Sequence, residues 1–395
     1  MEIHGFTEPR FTAVREAFER NVARYGEVGA AVCIYHHGRP VVDLWTGLAD
    51  PDTGRPWQRD TLQVVFSATK GVVAACAHLL AQRGDLDLDA PVTRYWPEFG
   101  AAGKDRIPVR WVLSHQAGLA ALDRPLTLAD LAAWSPVTAA IAAQAPAWEP
   151  GTAHGYHGFT YGWIVGELVR RVYGRSIGTF FRQEIAEPLG LDIWIGLPND
   201  EQHRVSRIVA PPLDLSTVDR SSLMLRVALP TDEPLDLNRP DLRAAEIPAV
   251  NGVCTARALA RFYAALIGPI DGHRILDPAT LAVAATEQAA GPDQVLQVPT
   301  RWALGFGLPT PDLPWFTPTL FGHAGHGGSL GFADPASGLA FAYIMNRVHA
   351  TTEPDLRASD LAVAANAAAQ RPVAPGTRRP GALLDDCMPS RRSEI

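Results

Sequence analysis

Lysine is almost missing from this chain: among 35 basic side chains in 395 residues only Lys70 and Lys104 are lysine, and all the others are arginine. Where a positive charge alone is wanted this sequence writes arginine, so a lysine asks for a separate reason. Cysteine is also scarce. Cys33, Cys76, Cys254 and Cys387 are widely spaced and form no CxxC pair, which points away from a disulfide framework or a zinc cluster. No stretch reaches the roughly twenty apolar residues of a bilayer span. Met1-Glu2-Ile3-His4-Gly5 has neither the positive flank nor the apolar core of a secretion signal, so a cytoplasmic protein without membrane contact is expected. No more than two basic residues stand side by side anywhere, as at Arg391-Arg392 in the tail, and a net charge of −7 argues against a nucleic-acid partner. What is present is an ordinary globular composition, 47% hydrophobic and 19% charged, long enough for one or two interlocked domains.

Phe11, Val14, Phe18, Val22 and Tyr25 recur at steps of three and four behind Thr7 and Pro9, which predicts an amphipathic helix as the first element. Gly29 to His36 and Pro40 to Trp45 read as strands around the turn His37-Gly38. The pattern then becomes helical: Ser67 to Arg83, Leu128 to Gln144, Thr160 to Tyr173, and Ile177 to Glu187 before Pro188, with proline-rich loops that include Ala210 to Pro240. After a helix from Thr255 to Ile267, strand patterns return at Trp302–Leu308, Leu320–His323, Ser329–Ala333 and Leu339–Asn346. A helix from Asp355 to Ala369 precedes a tail, 372–395, whose Pro, Arg and Gly content predicts disorder. Strands at both ends with helices between them suggest one sheet built by residues 1–62 and 245–395, a helical domain of residues 63–244 inserted into it, and a site in the cleft between.

Ser67-Ala68-Thr69-Lys70 follows the apolar run Val64-Val65-Phe66 and opens the helix that carries Val72, Val73, Cys76, Leu79 and Leu80. Residues three apart share a helix face, so the hydroxyl and the amine can meet. A serine hydroxyl is a weak nucleophile until a base takes its proton. Lysine can be that base if burial lowers its pKa, whereas arginine cannot. The bland alternative is a capping serine beside a solvated lysine.

In this setting Ser67-x-x-Lys70 resembles the S-x-x-K motif of penicillin-recognising serine enzymes. Leu113-Ser114-His115-Gln116-Ala117-Gly118-Leu119 is similar to the LLSHTSGL segment of class C β-lactamase-like proteins. Trp148-Glu149-Pro150-Gly151 with Tyr156 resembles their W-x-P-G…Y-S-N stretch, and Phe321 to Gly328, with His323-Ala324-Gly325, resembles their third box, written K-T-G, H-T-G or W-G-G. The likeness runs from about Gly29 to Asn346, and within the family it is nearest to the family VIII carboxylesterases. It implies an α/β (α+β) fold of the β-lactamase/transpeptidase type, with an antiparallel sheet flanked by helices and an inserted all-α domain. It further implies a serine carboxylesterase acting on a small-molecule ester without a cofactor. Carried over residue by residue, Ser67 is the nucleophile, Lys70 the base and Tyr156 the phenol that hands the proton to the leaving alcohol. The backbone N–H groups of Ser67 and His326 form the oxyanion hole, and His323, Gly325, Gly158 and His157 line the substrate cleft.

Two departures steer the substrate. Gly158 stands where β-lactamases carry an asparagine that orients an acylamino group, and His323 replaces the box lysine that would grip a carboxylate. Both favour an ester over a β-lactam or a D-amino-acid peptide. An acyltransferase that passes the same acyl group to an alcohol or amine uses every residue named so far, and a ligand-binding homologue with lost chemistry would be expected to break Ser67, Lys70 or Tyr156. Two G-x-S-x-G pentapeptides, around Ser176 and Ser329, lack the strand–turn–helix context of an α/β-hydrolase elbow. The pairs His154/His157 and His323/His326 lack a third motif for a metal.

Overall fold

The computed structural model describes residues 1–211, 222–310, 317–349 and 355–370. The strands of the main sheet are β1 (Ile3–Thr7), β2 (Gly29–His36), β3 (Arg39–Asp50), β4 (Phe321–Ala324), β5 (Leu330–Asp334) and β6 (Leu339–Met345). They run in the order β1-β3-β2-β6-β5-β4, every pair antiparallel, with the short strand Arg55–Pro56 added on β3. β2 and β6 are apolar on both sides, which is why each reads as an unbroken hydrophobic run. Ala30, Val32 and Ile34 of β2 point into one core, and Ala31, Cys33 and Tyr35 into the other. His37 and Gly38 close the β2–β3 hairpin with both residues at positive φ, 47° and 75°, the geometry that matches strand twist.

Five helices position the site: α1 (Thr12–Tyr25), α2 (Thr69–Gln82), α3 (Thr160–Tyr173), α4 (Ala256–Ile267) and α5 (Arg357–Gln370). Phe11 with Val14 and Phe18 of α1, and Leu361, Ala362 and Ala365 of α5, cover one face of the sheet. α4 covers the other, with its first turn capped by Thr255 Oγ1 accepting from Ala258 N at 3.1 Å. Every residue of α2 from Thr69 to Leu80 is buried, so this helix is packed on all sides and runs through the middle of the molecule. Val72 and Val73 of α2, Leu168 of α3 and Ala31 of the sheet belong to one apolar cluster, so sheet and helical segment are not separate cores.

The expected order of strands, helices and strands is present, with five local corrections. A strand, β1, precedes the first helix; only its pairing with β3 makes Ile3–Thr7 extended, since its own burial is slight. The helix expected over Leu128–Gln144 is two, Leu128–Ala133 and Ser135–Ala143. They break at Trp134 (φ 61°), whose residue after next is Pro136 and whose indole donates to Glu167 Oε2 at 2.8 Å. The helix at Ile177 does not stop before Pro188. A π-turn at Arg182–Ala186 widens the backbone there and the chain runs on to Leu189. The strand expected over Trp302–Leu308 is Pro299–Trp302, paired with Ala289–Pro292; the chain then turns at Gly305 (φ 89°), where a side chain would collide with Ala74 of α2. The loop from Ala210 to Pro240 contains the helix Leu223–Ala228. Residues 212–221 and the 372–395 tail lie outside the described residues.

Lys104 explains half of the lysine scarcity. It is fully buried, and its Nζ donates to Ala101 O at 2.7 Å, Ala142 O at 2.9 Å and Gln144 O at 2.5 Å, closing the C-terminal end of the Ser135–Ala143 helix. Three carbonyl acceptors ask for three N–H donors, so this amine is built in as a cation. Lys104→Met keeps the stem and strands three carbonyls, that of Ala142 fully buried. We expect it to lower the unfolding free energy by roughly 1–3 kcal/mol in urea denaturation, with ester turnover per folded molecule unchanged; an unaltered midpoint would remove the amine from the stability of this corner.

Candidate active site

The serine sits where the chain makes a strained entrance into α2. Phe66 has φ 47°, uncommon for a non-glycine residue, and opens a 3-10 turn, Phe66–Ala68, ahead of the helix. Val65 N donates to Gly252 O at 2.9 Å, and Gly252 N donates to Thr69 Oγ1 at 2.9 Å, which fixes the turn from behind. Ser67 is left half-buried, while Ala68, Thr69 and Lys70 are buried.

Lys70 is fully buried, and its Nζ lies 3.1 Å from Ser67 Oγ, 2.7 Å from Gly158 O and 3.0 Å from Ala249 O. The solvated-lysine alternative is thereby ruled out. The geometry also separates Lys70 from Lys104. With two carbonyls taking two N–H groups, a neutral amine has its lone pair left for the third direction, where the serine hydroxyl stands. Burial pushes the Lys70 pKa well below 10.5, because the charged form loses its hydration.

Tyr156 stacks on Trp302 at 5.6 Å between ring centroids and 17° between planes, and its face lies 4.8 Å from Lys70 Nζ. Burial raises the pKa of its hydroxyl, outweighing the lowering influence of Ser67, so it holds its proton at neutral pH. Its backbone is anchored by Asp293, whose Oδ1 accepts from Tyr156 N at 3.0 Å, Val295 N at 2.9 Å and Leu296 N at 2.9 Å.

Three histidines surround this pair without adding charge. His115 (φ 63°) accepts His157 N at its Nδ1, 3.1 Å, and burial, with His157 and Lys70 beside it, keeps it neutral. His157 accepts Leu119 N at Nε2, 3.0 Å, and donates from Nδ1 to Gly155 O at 2.7 Å; burial lowers its pKa to about 4. His323 donates from Nδ1 to Ala324 O at 2.7 Å, has no partner at Nε2, and is lowered to about 3 by burial and by Lys70.

The third box docks on Val65, two residues before Ser67. Ser329 Oγ donates to Val65 O at 2.9 Å, and a side chain on Gly325 would collide with both Val65 O and Ser329 Oγ, so only glycine fits. His326 opens the turn His326–Gly328, with its ring edge-on to Phe66 at 5.4 Å. Among the described residues, neither Ser67 N nor His326 N donates to a backbone carbonyl outside its own short helix.

Ser67, Lys70, Tyr156, His323, Gly325 and His326 are therefore brought together. Two cleft assignments change. Gly158 is buried and takes part through its carbonyl; a Cβ there would come within 2.6 Å of Val227 Cγ1. His157 is fully enclosed behind His115 and is a backbone clamp, not a cleft wall. Sequence reading missed Ala249, which acts through its main chain and leaves no side-chain signal, as well as Trp302 and Asp293. The last could have been suspected from Gly291-Pro292-Asp293, a turn of the kind in which Asp caps backbone N–H groups. The rival motifs dissolve. Ser176 caps a helix by accepting Thr179 N at 3.2 Å and donates to Glu246 Oε1 at 2.6 Å, and Ser329 is buried in the contact just described. His154 is spent on Thr300 Oγ1 at 2.9 Å.

A family model described as Beta-lactamase matches residues 14–366 of the chain. Among curated proteins it is similar to the Esterase/beta-lactamase LipL of Mycobacterium tuberculosis, 39% identical over 365 residues that cover 88% of this chain and 83% of that one. Among solved structures it is similar to a penicillin-binding protein homologue from Caulobacter crescentus, with TM-score 0.87, 40% identity, and 93% of this chain and 100% of that chain covered. A family VIII carboxylesterase gives TM-score 0.86 and 39% identity, covering 93% of this chain and 100% of its own. The resemblance first read from four short segments thus extends across sheet and helices alike, and the chain belongs to the beta-lactamase family.

Proposed function

We propose that this protein is a serine carboxylesterase that cleaves small-molecule esters through an acyl-enzyme on Ser67, with Lys70 and Tyr156 as its base and acid. The observation that carries the reading is the buried Lys70 amine, 3.1 Å from the Ser67 hydroxyl with two of its hydrogens committed to the carbonyls of Gly158 and Ala249.

Neutral Lys70 takes the Ser67 proton, and the serine oxygen adds to the ester carbonyl. The N–H groups of Ser67 and His326 hold the oxyanion, a contribution of about a hundredfold to a thousandfold for each donor. Tyr156, kept protonated by burial, gives its proton to the departing alkoxide and recovers one from Lys70. Water then enters by the same steps in reverse order, and Ser67 is released with the acid. An ester is favoured over a β-lactam or peptide because Val227 occupies the place a side chain at Gly158 would need, and because neutral His323 supplies no cation for a carboxylate. The likeness to a family VIII carboxylesterase supports the ester, and that to an esterase/beta-lactamase is compatible with it. The domain boundaries at 62/63 and 244/245 and a cytoplasmic location belong to this same reading; no helix of the described residues is long and apolar enough to cross a membrane.

Lys70→Arg retains charge but cannot accept a proton, so kcat/KM for p-nitrophenyl acetate is expected to fall by about 10³-fold or more; turnover within tenfold of wild type would reject the base assignment. A fluorophosphonate followed by peptide mass spectrometry should label Ser67 and no other serine. The pH profile has a definite sign. Protonated Lys70 is inactive, so kcat/KM should rise with pH through an inflection well below 10.5 and then level off while Tyr156 keeps its proton. A profile that climbs only near 10.5 would show a lysine of ordinary basicity and sink the proposal.

A further inference from the structure

A buried cation that the mechanism does not use lies against the third box. Arg357 opens α5 with its side chain only 2% exposed, and all five of its N–H donors are used. Nε donates to Asp355 Oδ1 at 2.9 Å and Nη2 to Asp355 Oδ2 at 2.7 Å, a two-point fork. Nη1 reaches Glu27 Oε2 at 3.1 Å and Arg347 O at 3.0 Å. The fifth bond leaves this cluster: Nη2 donates to Gly327 O at 2.6 Å. Glu27 is itself fixed by a hydrogen bond from the Tyr343 hydroxyl of β6.

Gly327 and Gly328 follow His326 and lie at φ 82° and 120°, conformations that only glycine adopts at little cost. Two adjacent glycines have no side chains to hold a turn in one shape. The turn is closed at its base by Gly325 N donating to Ser329 O at 2.7 Å, and its Gly327 carbonyl is held from outside by the guanidinium at 2.6 Å and, at the longer distance of 3.3 Å, by His349 N. A side chain on Gly328 would strike Asp355 Oδ2, and would come within 2.7 Å of Arg357 Nη2, so turn and ion cluster are packed together without a gap. Oxyanion donors act by being aimed before charge develops, and a turn free to rotate its peptides would lose that advantage.

We propose that Arg357 is a positioning residue for the reaction: by holding the Gly327 carbonyl, its guanidinium fixes the two-glycine turn that aims the His326 N–H at the oxygen of the carbonyl under attack by Ser67. The proposal rests on the esterase reading above and adds that the C-terminal helix takes part in transition-state stabilisation.

The test uses the full-length protein, with active sites counted by fluorophosphonate titration so that loss of folded molecules does not enter the rate. Arg357→Lys keeps the charge and loses the five-point geometry. Asp355→Asn, at a partly exposed position, loosens the fork with less demand on folding. For p-nitrophenyl acetate, kcat per titrated site should fall at least about tenfold in Arg357→Lys and severalfold in Asp355→Asn, with KM changed less than threefold. The affinity of a boronic acid that forms a tetrahedral adduct on Ser67 should fall in the same proportion. A residue that only stabilises the fold would lower the urea midpoint and leave both readouts unchanged, and that result in either soluble variant would overturn the proposal. Wild-type protein that is not labelled at Ser67 would overturn the esterase reading and this one with it, whereas normal labelling with kinetically normal variants overturns this one alone.

Discussion

A fully buried primary amine, with carbonyls on two sides and a hydroxyl on the third, is the constraint around which this molecule is arranged. The Lys70 nitrogen can be neutral there because its acceptors leave one direction open, toward Ser67 Oγ. To keep it so, its neighbours must carry no negative charge. Those found around it are Tyr156, protonated through burial, and His115, His157 and His323, all held neutral. α2 is accordingly packed on all sides, since any water at its first turn would restore the hydration that burial removes. Lys104, with three carbonyls and no hydroxyl, shows the opposite use of the same side chain in the same protein.

Ser67 and the His326–Gly328 turn come from opposite ends of the chain, and the sheet is what joins them. β2 pairs with β6, β6 with β5 and β5 with β4, so a register set at Val32 opposite Tyr343 carries through to His323 opposite Gly331. The last link is not a strand pair. It is the Ser329 hydroxyl and the bare Gly325 backbone against Val65 O, two residues ahead of Ser67. A seryl hydroxyl embedded in a G-x-S-x-G pentapeptide thus serves as a strut, which shows how little a short pattern says without its setting.

Sequence reading succeeded where local physics is decisive. The double-faced strands β2 and β6, the left-handed hairpin turn His37-Gly38 and the amphipathic α1 are dictated by neighbours within a few residues. It failed where a distant element overrides local preference. Ile3–Thr7 is a strand only because β3 offers an edge, and Leu128–Gln144 keeps a helical rhythm that Trp134 interrupts to reach Glu167. The same division runs through the site. His157 sits in a motif, yet its nitrogens serve two backbone groups, and Gly158 contributes a carbonyl that no residue type announces.

Taken alone, the order of residues determined that a hydroxyl at position 67 and an amine at position 70 would share a face, because three-residue spacing on a helix does so whatever lies around it. It also determined, by reserving lysine for two places, that those amines were not interchangeable with guanidinium. Which of the two is left with a hydroxyl in reach, and so can stand uncharged, was decided only by tertiary structure. A proton's affinity depends on burial and on the acceptors within reach, and for Lys70 those are main-chain oxygens 88 and 179 residues away that folding alone brings to it.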